Sequence, residues 1–413
     1  MTVEHDGPCP EERYRCVHYL RRVRLEDGGV VRVVLDICSL LALRGNHVTL
    51  LTTDPTDVPS TWEAGDKNLP RAATIRVPRL LGTLPIEAES AIRNAHILHL
   101  HTPWGTPWGF CNMSFAHSAK RLRVPYIVSI HGMLAEWSLR QNWLKKWLFL
   151  KLVGRRFLTG AARVHCTAAA ELEQASRFLR HGSGIVMAYP VDLSSFADLP
   201  GTERALSEYP ELTGDMPRLL FLSRLHPKKR PDLLIEAAAR LEKGGQPCQL
   251  ILAGPGEPAY VAELRQLALE RGLVRRVLFP GMVNGLTKVS LYQAADVFVL
   301  PTSHENFGIV LVEAMAAGTP VITTHAVDIW QELQSAGAVI VDQDPAQIAT
   351  AIRSLIADLP MARQRGQQGR EWVFRELDAD RVIGAYERMY RDVCRRHTDT
   401  ASHLGHGSNG LLG

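Results

Sequence analysis

His304-Glu305-Asn306-Phe307-Gly308-Ile309-Val310-Leu311-Val312-Glu313-Ala314-Met315-Ala316-Ala317-Gly318-Thr319-Pro320 is the stretch on which the reading of this chain turns. The apolar run Val297–Leu300 before it reads as a buried strand. Phe307 to Ala317 then reads as a helix, with Gly318 as its C-terminal cap and Pro320 as a stop. Glu305 falls in the loop before that helix, and Glu313 about two turns into it. Free N–H groups at the helix start, around Asn306, Phe307 and Gly308, form an anion site. A diphosphate there puts its sugar near Glu305 and its ribose near Glu313. A solvated helix carrying two surface glutamates is the plainer alternative. The apolar neighbours Ile309, Val310, Leu311, Val312, Ala314 and Met315 weigh against it, because they imply burial, and a buried carboxylate needs hydrogen-bond partners.

Working outward, short apolar runs alternate with helical periods along the whole chain, the pattern of parallel sheets covered by helices. The first half reads as helix 29–44, strand 48–52, strand 96–100, helix 108–122, strand 126–130, a long helix from Ser138, strand 163–166, helix 168–180 and strand 185–188. The second half reads as strands 219–223, 250–253, 277–279, 297–300, 321–323 and 339–341. Pro231, Pro258 and Pro345 open helices between them. At 413 residues and 46% hydrophobic content the chain is too long for one core. The expected division is an N-terminal α/β domain over 1–193, a linker over 194–216 and a second α/β domain over 217–379. A C-terminal helix over 380–396 and a disordered tail over 397–413 follow. Two doubly wound domains facing each other would leave a cleft at the carboxyl ends of their strands.

Net charge is +4, too small to imply a nucleic-acid partner. Seven cysteines without a C-x-x-C pair point to a reducing, cytoplasmic compartment and no zinc site. The polar, acidic N-terminus does not read as a signal peptide, and no apolar stretch is long enough to span a bilayer. From Trp137 to Ala170 there is no acidic residue, while Arg140, Lys145, Lys146, Lys151, Arg155, Arg156 and Arg163 alternate with tryptophans and phenylalanines. That is the composition of a helix lying in an anionic bilayer surface over 137–157. A helix covering a parallel sheet needs an apolar face too, and the two readings compete.

Chemistry-bearing residues sit at strand ends. Arg224 and Lys229, in Ser223-Arg224-Leu225-His226-Pro227-Lys228-Lys229-Arg230, offer two cations for two phosphates. Gly254-Pro255-Gly256 lets the backbone approach a flat ligand but is not the dinucleotide fingerprint. Gly28-Gly29 opens a helix and can present N–H groups to phosphate. His131, before Gly132, is a ligand-contact candidate, and His99 and His101 close a neighbouring strand. Because Arg224 and Lys229 stand where a divalent ion would otherwise sit, neither a metal nor a cofactor is expected.

Taken in order, Ser223-Arg224-Leu225 to Lys229, Gly254-Pro255-Gly256, the E-x7-E pair Glu305/Glu313 and Gly318-Thr319-Pro320-Val321-Ile322 resemble the retaining GT-B glycosyltransferases of family 4. Gly28-Gly29 and His131-Gly132 fit that family's N-terminal half. The resemblance covers roughly residues 16 to 395. It implies a hexosyl transfer from a nucleotide-diphosphate sugar, with retention, to a glycan or lipid-linked acceptor in cell-surface polysaccharide synthesis. Arg224 and Lys229 would neutralise the diphosphate, and Glu313 would hold the ribose. Glu305 and His131 would meet the donor sugar, and Gly28 and Gly29 the sugar-side phosphate. The sequence departs from the family at Cys16–Arg24, basic where an apolar first strand is usual, and at Tyr189-Pro190, which replaces Asn-Gly. Two other readings remain: an epimerase on the same fold, which needs acid/base carboxylates not seen at first-domain loops, and a catalytically silent sugar-nucleotide-binding partner of another transferase.

Overall fold

The computed structural model describes residues 13–62, 72–77, 84–104 and 110–406. The chain divides into two compact units, Met1–Pro190 with Ala379–Gly413, and Val191–Asp378. In the first unit a seven-stranded parallel sheet has the order β3-β2-β1-β4-β5-β6-β7. Its strands are β1 (Arg15–Tyr19), β2 (His47–Thr52), β3 (Ala72–Arg76), β4 (Ile97–His101), β5 (Tyr126–Ser129), β6 (Arg163–Cys166) and β7 (Gly184–Val186). In the second unit a six-stranded parallel sheet has the order β10-β9-β8-β11-β12-β13. These strands are β8 (Arg218–Leu222), β9 (Gln249–Ala253), β10 (Val277–Gly281), β11 (Val297–Leu300), β12 (Val321–Thr324) and β13 (Val339–Val341). Both orders run outward from a central pair and reverse there, the doubly wound Rossmann-like arrangement. The reversal lies between β1 and β4 in one unit and between β8 and β11 in the other.

Four expectations need correction. The stretch at Cys16–Arg24 does contain a strand: β1 is central, and Cys16 to Tyr19 are all buried. Its polar member, His18, is accommodated by partners from distant parts of the chain, which no local pattern reveals.

The long helix from Ser138 is broken into Glu136–Arg140, Trp143–Phe149, a π-helical turn Leu150–Gly154 and Arg155–Thr159. Asn142, in the left-handed region at φ 53°, resets the chain before the second piece. The apolar residues split accordingly. Phe149, Leu150, Phe157 and Leu158 enter the core, while Trp143, Leu144, Trp147 and Leu152 stay exposed.

The expected linker 194–216 is not a free tether. It forms helices Ser194–Ala197 and Glu203–Glu208 and a 3-10 turn Pro210–Leu212, all within the second unit. Buried Phe196 and Leu212 anchor it. Its backbone is taken up by side chains of helix Gly285–Ala294: Gly201 N–H donates to Gln293 at 2.8 Å and Ala205 N–H to Ser290 at 3.0 Å. The Arg370 guanidinium adds bonds to the carbonyls of Phe196, Ala197 and Ala316.

The C-terminal helix runs from Ala379 to His406, so the expected tail is helical as far as His406. Residues 407–413 lie outside the described residues.

Close helix packing in the second unit depends on glycine. A Cβ on Gly366 would stand 2.0 Å from the Gly318 carbonyl oxygen, and one on Gly369 would press on Met315. Helix Leu359–Glu376 therefore rests directly on the end of helix Ile309–Ala316. Gly366→Ala is expected to lower stability by about 1–3 kcal/mol through overpacking. Gly384→Ala, whose Cβ would meet only Arg388 at an ordinary 3.5 Å, should be neutral or stabilising by up to about 1 kcal/mol. Urea melts of both variants check this, and equal losses would refute the close-approach argument.

Candidate functional site

In the second unit the reversal between β8 and β11 brings two chemistry-bearing loops together, where ligands of doubly wound sheets bind. After β8 the chain passes Arg224, turns through the 3-10 segment Pro227–Lys229 and enters helix Pro231–Lys243. After β11 it passes Thr302 to Gly308 and enters helix Ile309–Ala316. The loops are tied by their backbones: the Lys228 carbonyl accepts from Ser303 N–H at 2.8 Å and from the Thr302 hydroxyl at 3.1 Å. The two predicted residues Lys229 and Glu305 are in direct ionic contact. Glu305 is fixed by its own backbone, which donates to Ala326 O and accepts from Asp328 N–H, each at 2.9 Å. Beside it the Asn306 amide donates to Asp328 at 3.0 Å, and Phe307 is buried.

Arg224 stands exposed in the first loop, with half-buried Lys228 next to buried Lys229. Burial, then the neighbouring cations Lys228 and Arg224, pull the Lys229 ammonium down to about 7. Glu305 in contact works against that direction, so the cation is best stabilised while the pair is intact. Burial followed by Arg224 lowers Lys228 to about 8. Burial also keeps His304 neutral, with Lys228 and Lys229 acting in the same direction, and lowers it to about 4.

The helix begins at Ile309 rather than Phe307. Gly308 is its N-cap at φ 73°, which favours glycine, and a Cβ there would press on the Leu311 side chain at 2.6 Å. Glu313 consequently lies little more than one turn into the helix. Its carboxylate accepts from the Lys288 ammonium at 2.7 Å and from the Tyr292 hydroxyl at 3.0 Å. Burial, reinforced by Glu313, raises the Tyr292 phenol well above its ordinary value and keeps it a donor. The sequence left the partners of Glu313 to a ligand, yet the chain supplies two. Lys288 and Tyr292, one turn apart on helix Gly285–Ala294, carry the i, i+4 spacing that could have flagged them.

The glycines after β9 serve the protein's own packing. A Cβ on Gly254 would lie 1.9 Å from Ser223 O, and one on Gly256 2.7 Å from the Leu225 Cβ. What approaches these glycines is the Arg224 loop, held by Leu225 N–H donating to Pro255 O at 2.7 Å.

In the first unit, Gly28 at φ 105° caps helix Gly29–Leu43. His131 follows β5 at φ 50°, with Gly132 at φ 72°, a left-handed pair that a non-glycine residue adopts only when held there. The holding bonds are visible. Gly132 N–H donates to the buried Glu171 carboxylate at 2.5 Å, and the His131 ring bonds Tyr189 and His101. His99 and His101 are fully buried in the sheet face and do not line a surface. Nitrogens of His18, His99 and His101 all lie within 4.8 Å of one another, near enough to hold a metal ion, but all six ring nitrogens of this trio already have hydrogen-bond partners.

Residues 204–372 match the family described as glycosyl transferases group 1, and residues 28–187 match the glycosyl transferase 4-like domain. The chain belongs to the group 1, GT4-like glycosyltransferases. A D-inositol 3-phosphate glycosyltransferase of Catenulispora acidiphila is 34% identical over 178 residues, 40% of either chain. A GDP-mannose-dependent phosphatidylinositol monomannoside mannosyltransferase of Mycobacterium tuberculosis is 32% identical over 192 residues, 44% of this chain and 49% of its own. The matches thus span less than half the length of these curated relatives. Among solved structures, Anabaena HepE in complex with UDP and glucose superposes with a TM-score of 0.72 at 18% identity, covering 91% of this chain and 99% of that one. The fold of this group 1 glycosyltransferase is accordingly GT-B.

The cation loop makes a signed prediction. A diphosphate seated against Lys228 and Lys229 raises both lowered pKa values, so binding takes up protons near pH 8 and weakens as pH rises from 7 to 9. Calorimetry with UDP at pH 8, in buffers of different ionisation enthalpy, measures the sign. Proton release on binding would show that these lysines do not meet the diphosphate.

Proposed function

We propose that this group 1 glycosyltransferase moves a hexosyl group, with retention, from a nucleotide-diphosphate sugar to a glycan or lipid-linked acceptor in cell-surface polysaccharide synthesis. The observation that carries the reading is the Lys229–Glu305 contact at the strand-order reversal, with Arg224 and Lys228 beside it and Glu313 on the following helix. As the glycosidic bond breaks, negative charge grows on the departing diphosphate. Arg224, Lys228, Lys229 and the start of helix Ile309–Ala316 are the groups suited to receive it, each able to supply a few kcal/mol. Glu305, released from Lys229 by the incoming phosphates, is then available to sugar hydroxyls, and Glu313 with Lys288 to the ribose. In this proposal no step uses a metal ion or cofactor. The donor-side roles of His131, Gly28, Gly29, Gly254 and Gly256 rest on the family resemblance.

The expected outcome is that Glu313→Ala weakens donor binding, while Arg224→Ala and Lys229→Ala lower turnover by roughly ten- to a thousand-fold. Wild-type turnover should persist in EDTA. A screen of nucleotide sugars against lipid-linked and soluble acceptors, read by mass spectrometry, supplies the assay. Near wild-type rates in both cation variants, or a loss in EDTA restored by Mg²⁺, would overturn the proposal.

The proposed location is the cytoplasmic side of an anionic membrane, where a lipid-linked acceptor would be met. No helix among the described residues is long and apolar enough to cross a bilayer. Support for surface attachment comes from Trp143, Trp147 and Leu152, 63%, 50% and 62% exposed, with Leu144 beside them and exposed Lys145, Lys151, Arg155 and Arg156 around them. Lys151 lies over the Trp147 ring at 4.8 Å. Lys146 is not part of this surface: its ammonium donates to the Ser138 carbonyl and hydroxyl, and partial burial lowers its pKa. Each outward cation near an anionic surface contributes about 1 kcal/mol, so salt should release the protein. Co-sedimentation with anionic and neutral vesicles should fall when Lys145, Lys151, Arg155 and Arg156 are changed together to Gln. Equal partitioning of variant and wild type would leave the exposed tryptophans without a bilayer role.

A further inference from the structure

The first unit buries an unbroken row of hydrogen bonds on one face of its sheet. From Tyr189 the row runs to His131 Nδ1 (2.5 Å), His131 Nε2 to His101 Nδ1 (3.2 Å), and His101 Nε2 to His18 Nδ1 (3.0 Å). It continues from His18 Nε2 to the Tyr390 hydroxyl (3.4 Å), Tyr390 to His99 Nδ1 (2.8 Å), and His99 Nε2 to Ser129 Oγ (2.7 Å). Ser129 Oγ reaches His165 Nδ1 (2.7 Å), and His165 Nε2 ends on the Met187 carbonyl (2.9 Å). Register explains how it assembles. His18 pairs with His99 across β1 and β4, His101 with Ser129 across β4 and β5, and Ser129 with His165 across β5 and β6. The C-terminal helix supplies Tyr390.

The end of the row fixes every proton in it. A carbonyl only accepts, so His165 Nε2 carries its proton. Burial keeps all five imidazoles neutral, lowering His18 and His131 to about 3 and His165 to about 4. His165 Nδ1 is therefore an acceptor, and Ser129 donates to it. Ser129 must then accept from His99 Nε2–H, which leaves His99 Nδ1 to accept from Tyr390. Tyr390, having spent its one proton, accepts from His18 Nε2–H. The same step, repeated, gives His101 Nε2–H donating to His18, His131 Nε2–H donating to His101, and Tyr189 donating to His131 Nδ1.

We propose that Tyr390 is a positioning residue that locks the His131 ring in its Nε2–H tautomer, linking the C-terminal helix to the residue read as a donor contact. Among the described residues its hydroxyl is the one non-imidazole link between the His131–His101–His18 segment and the carbonyl-anchored segment His99–Ser129–His165. Without it the outer segment can reverse as a unit, with His131 Nδ1–H donating to the Tyr189 oxygen. The consequence for transfer rests on the proposed role of His131; the tautomer lock itself does not.

The test is long-range imidazole ¹H–¹⁵N NMR on the full chain labelled at histidine, with the His131 signals assigned through His131→Gln. Wild type should show a protonated Nε2 and an unprotonated Nδ1. Tyr390→Phe should give a mixture of tautomers at His131. Ser129→Ala, a smaller change that cuts the row on the far side of Tyr390, should do the same and serves where the tyrosine variant folds poorly. Tyr386→Phe, one turn away on the same helix and only alongside the row at 3.4 Å from His165, should leave His131 unchanged. A single Nε2–H tautomer in both Tyr390→Phe and Ser129→Ala, or an Nδ1–H tautomer in wild type, would overturn the proposal. Turnover of UDP-glucose or GDP-mannose should fall in proportion to the fraction of misprotonated ring, about two-fold for an even mixture. A tautomer shift with unchanged turnover would support the lock while removing His131 from the transfer reaction.

Discussion

The contact between Lys229 and Glu305 is the constraint around which the second unit is arranged. A buried ion pair is a poor way to stabilise a fold, since desolvation offsets much of its attraction. Its value here lies in what surrounds it. Burial, and after it the two further cations Lys228 and Arg224 in the same loop, depress the lysine, and the loop carries more cationic groups than one glutamate neutralises. That excess of positive charge is what the proposed diphosphate site rests on. The loops must be rigid for this to work, and backbone bonds from Ser303 to Lys228 and from Asp328 to Glu305 make them so. The packed glycines Gly254, Gly256 and Gly308 are the steric side of the same requirement.

Much of this was legible in the sequence because the signals are local. The strand-to-helix passages carry their own punctuation, with Pro at helix starts and Gly at caps. Arg224, Lys229 and Glu305 were singled out by their position after strands and Glu313 by its spacing from Glu305, and the structure brings Lys229 and Glu305 into contact. What could not be read was partnership at long range. Lys288 and Tyr292 carry an i, i+4 spacing of their own, but nothing in it names Glu313, more than twenty residues on, as their partner. His18 makes β1 look polar, because its neighbour Tyr390 lies 372 residues away. The basic segment after Ser138 misled for a different reason: its apolar residues fit one helix by period alone, but Asn142 and the π-helical turn rotate them onto different faces.

The two units share a strand order and handle polarity in opposite ways. In the second the central strands β8 and β11 are apolar where they are buried, Leu219 to Leu222 and Val297 to Leu300, and Arg224, Lys229 and Glu305 stand in the loops beyond. The first places histidines within the strands themselves. An isolated buried imidazole carries a desolvation cost, and a row in which each ring both donates and accepts removes most of it. Such a row is satisfied only as a whole, so a change at one member is felt at the others.

That cooperativity explains why the row extends from the sheet to the C-terminal helix. A sheet face covered by an apolar helix tolerates sliding, since dispersion contacts are non-directional. A helix whose tyrosine must sit between His18 and His99 has one register. Tyr390 thereby fixes the helix against β1 and β4 in the same bonds that orient the rings, and the strained backbone at His131 is held by the outer end of that row together with Glu171. The unit's central polar residues are thus a structural clamp and a means of setting ring orientation at once. Neither role can be removed from β1 or β4 without disturbing the other.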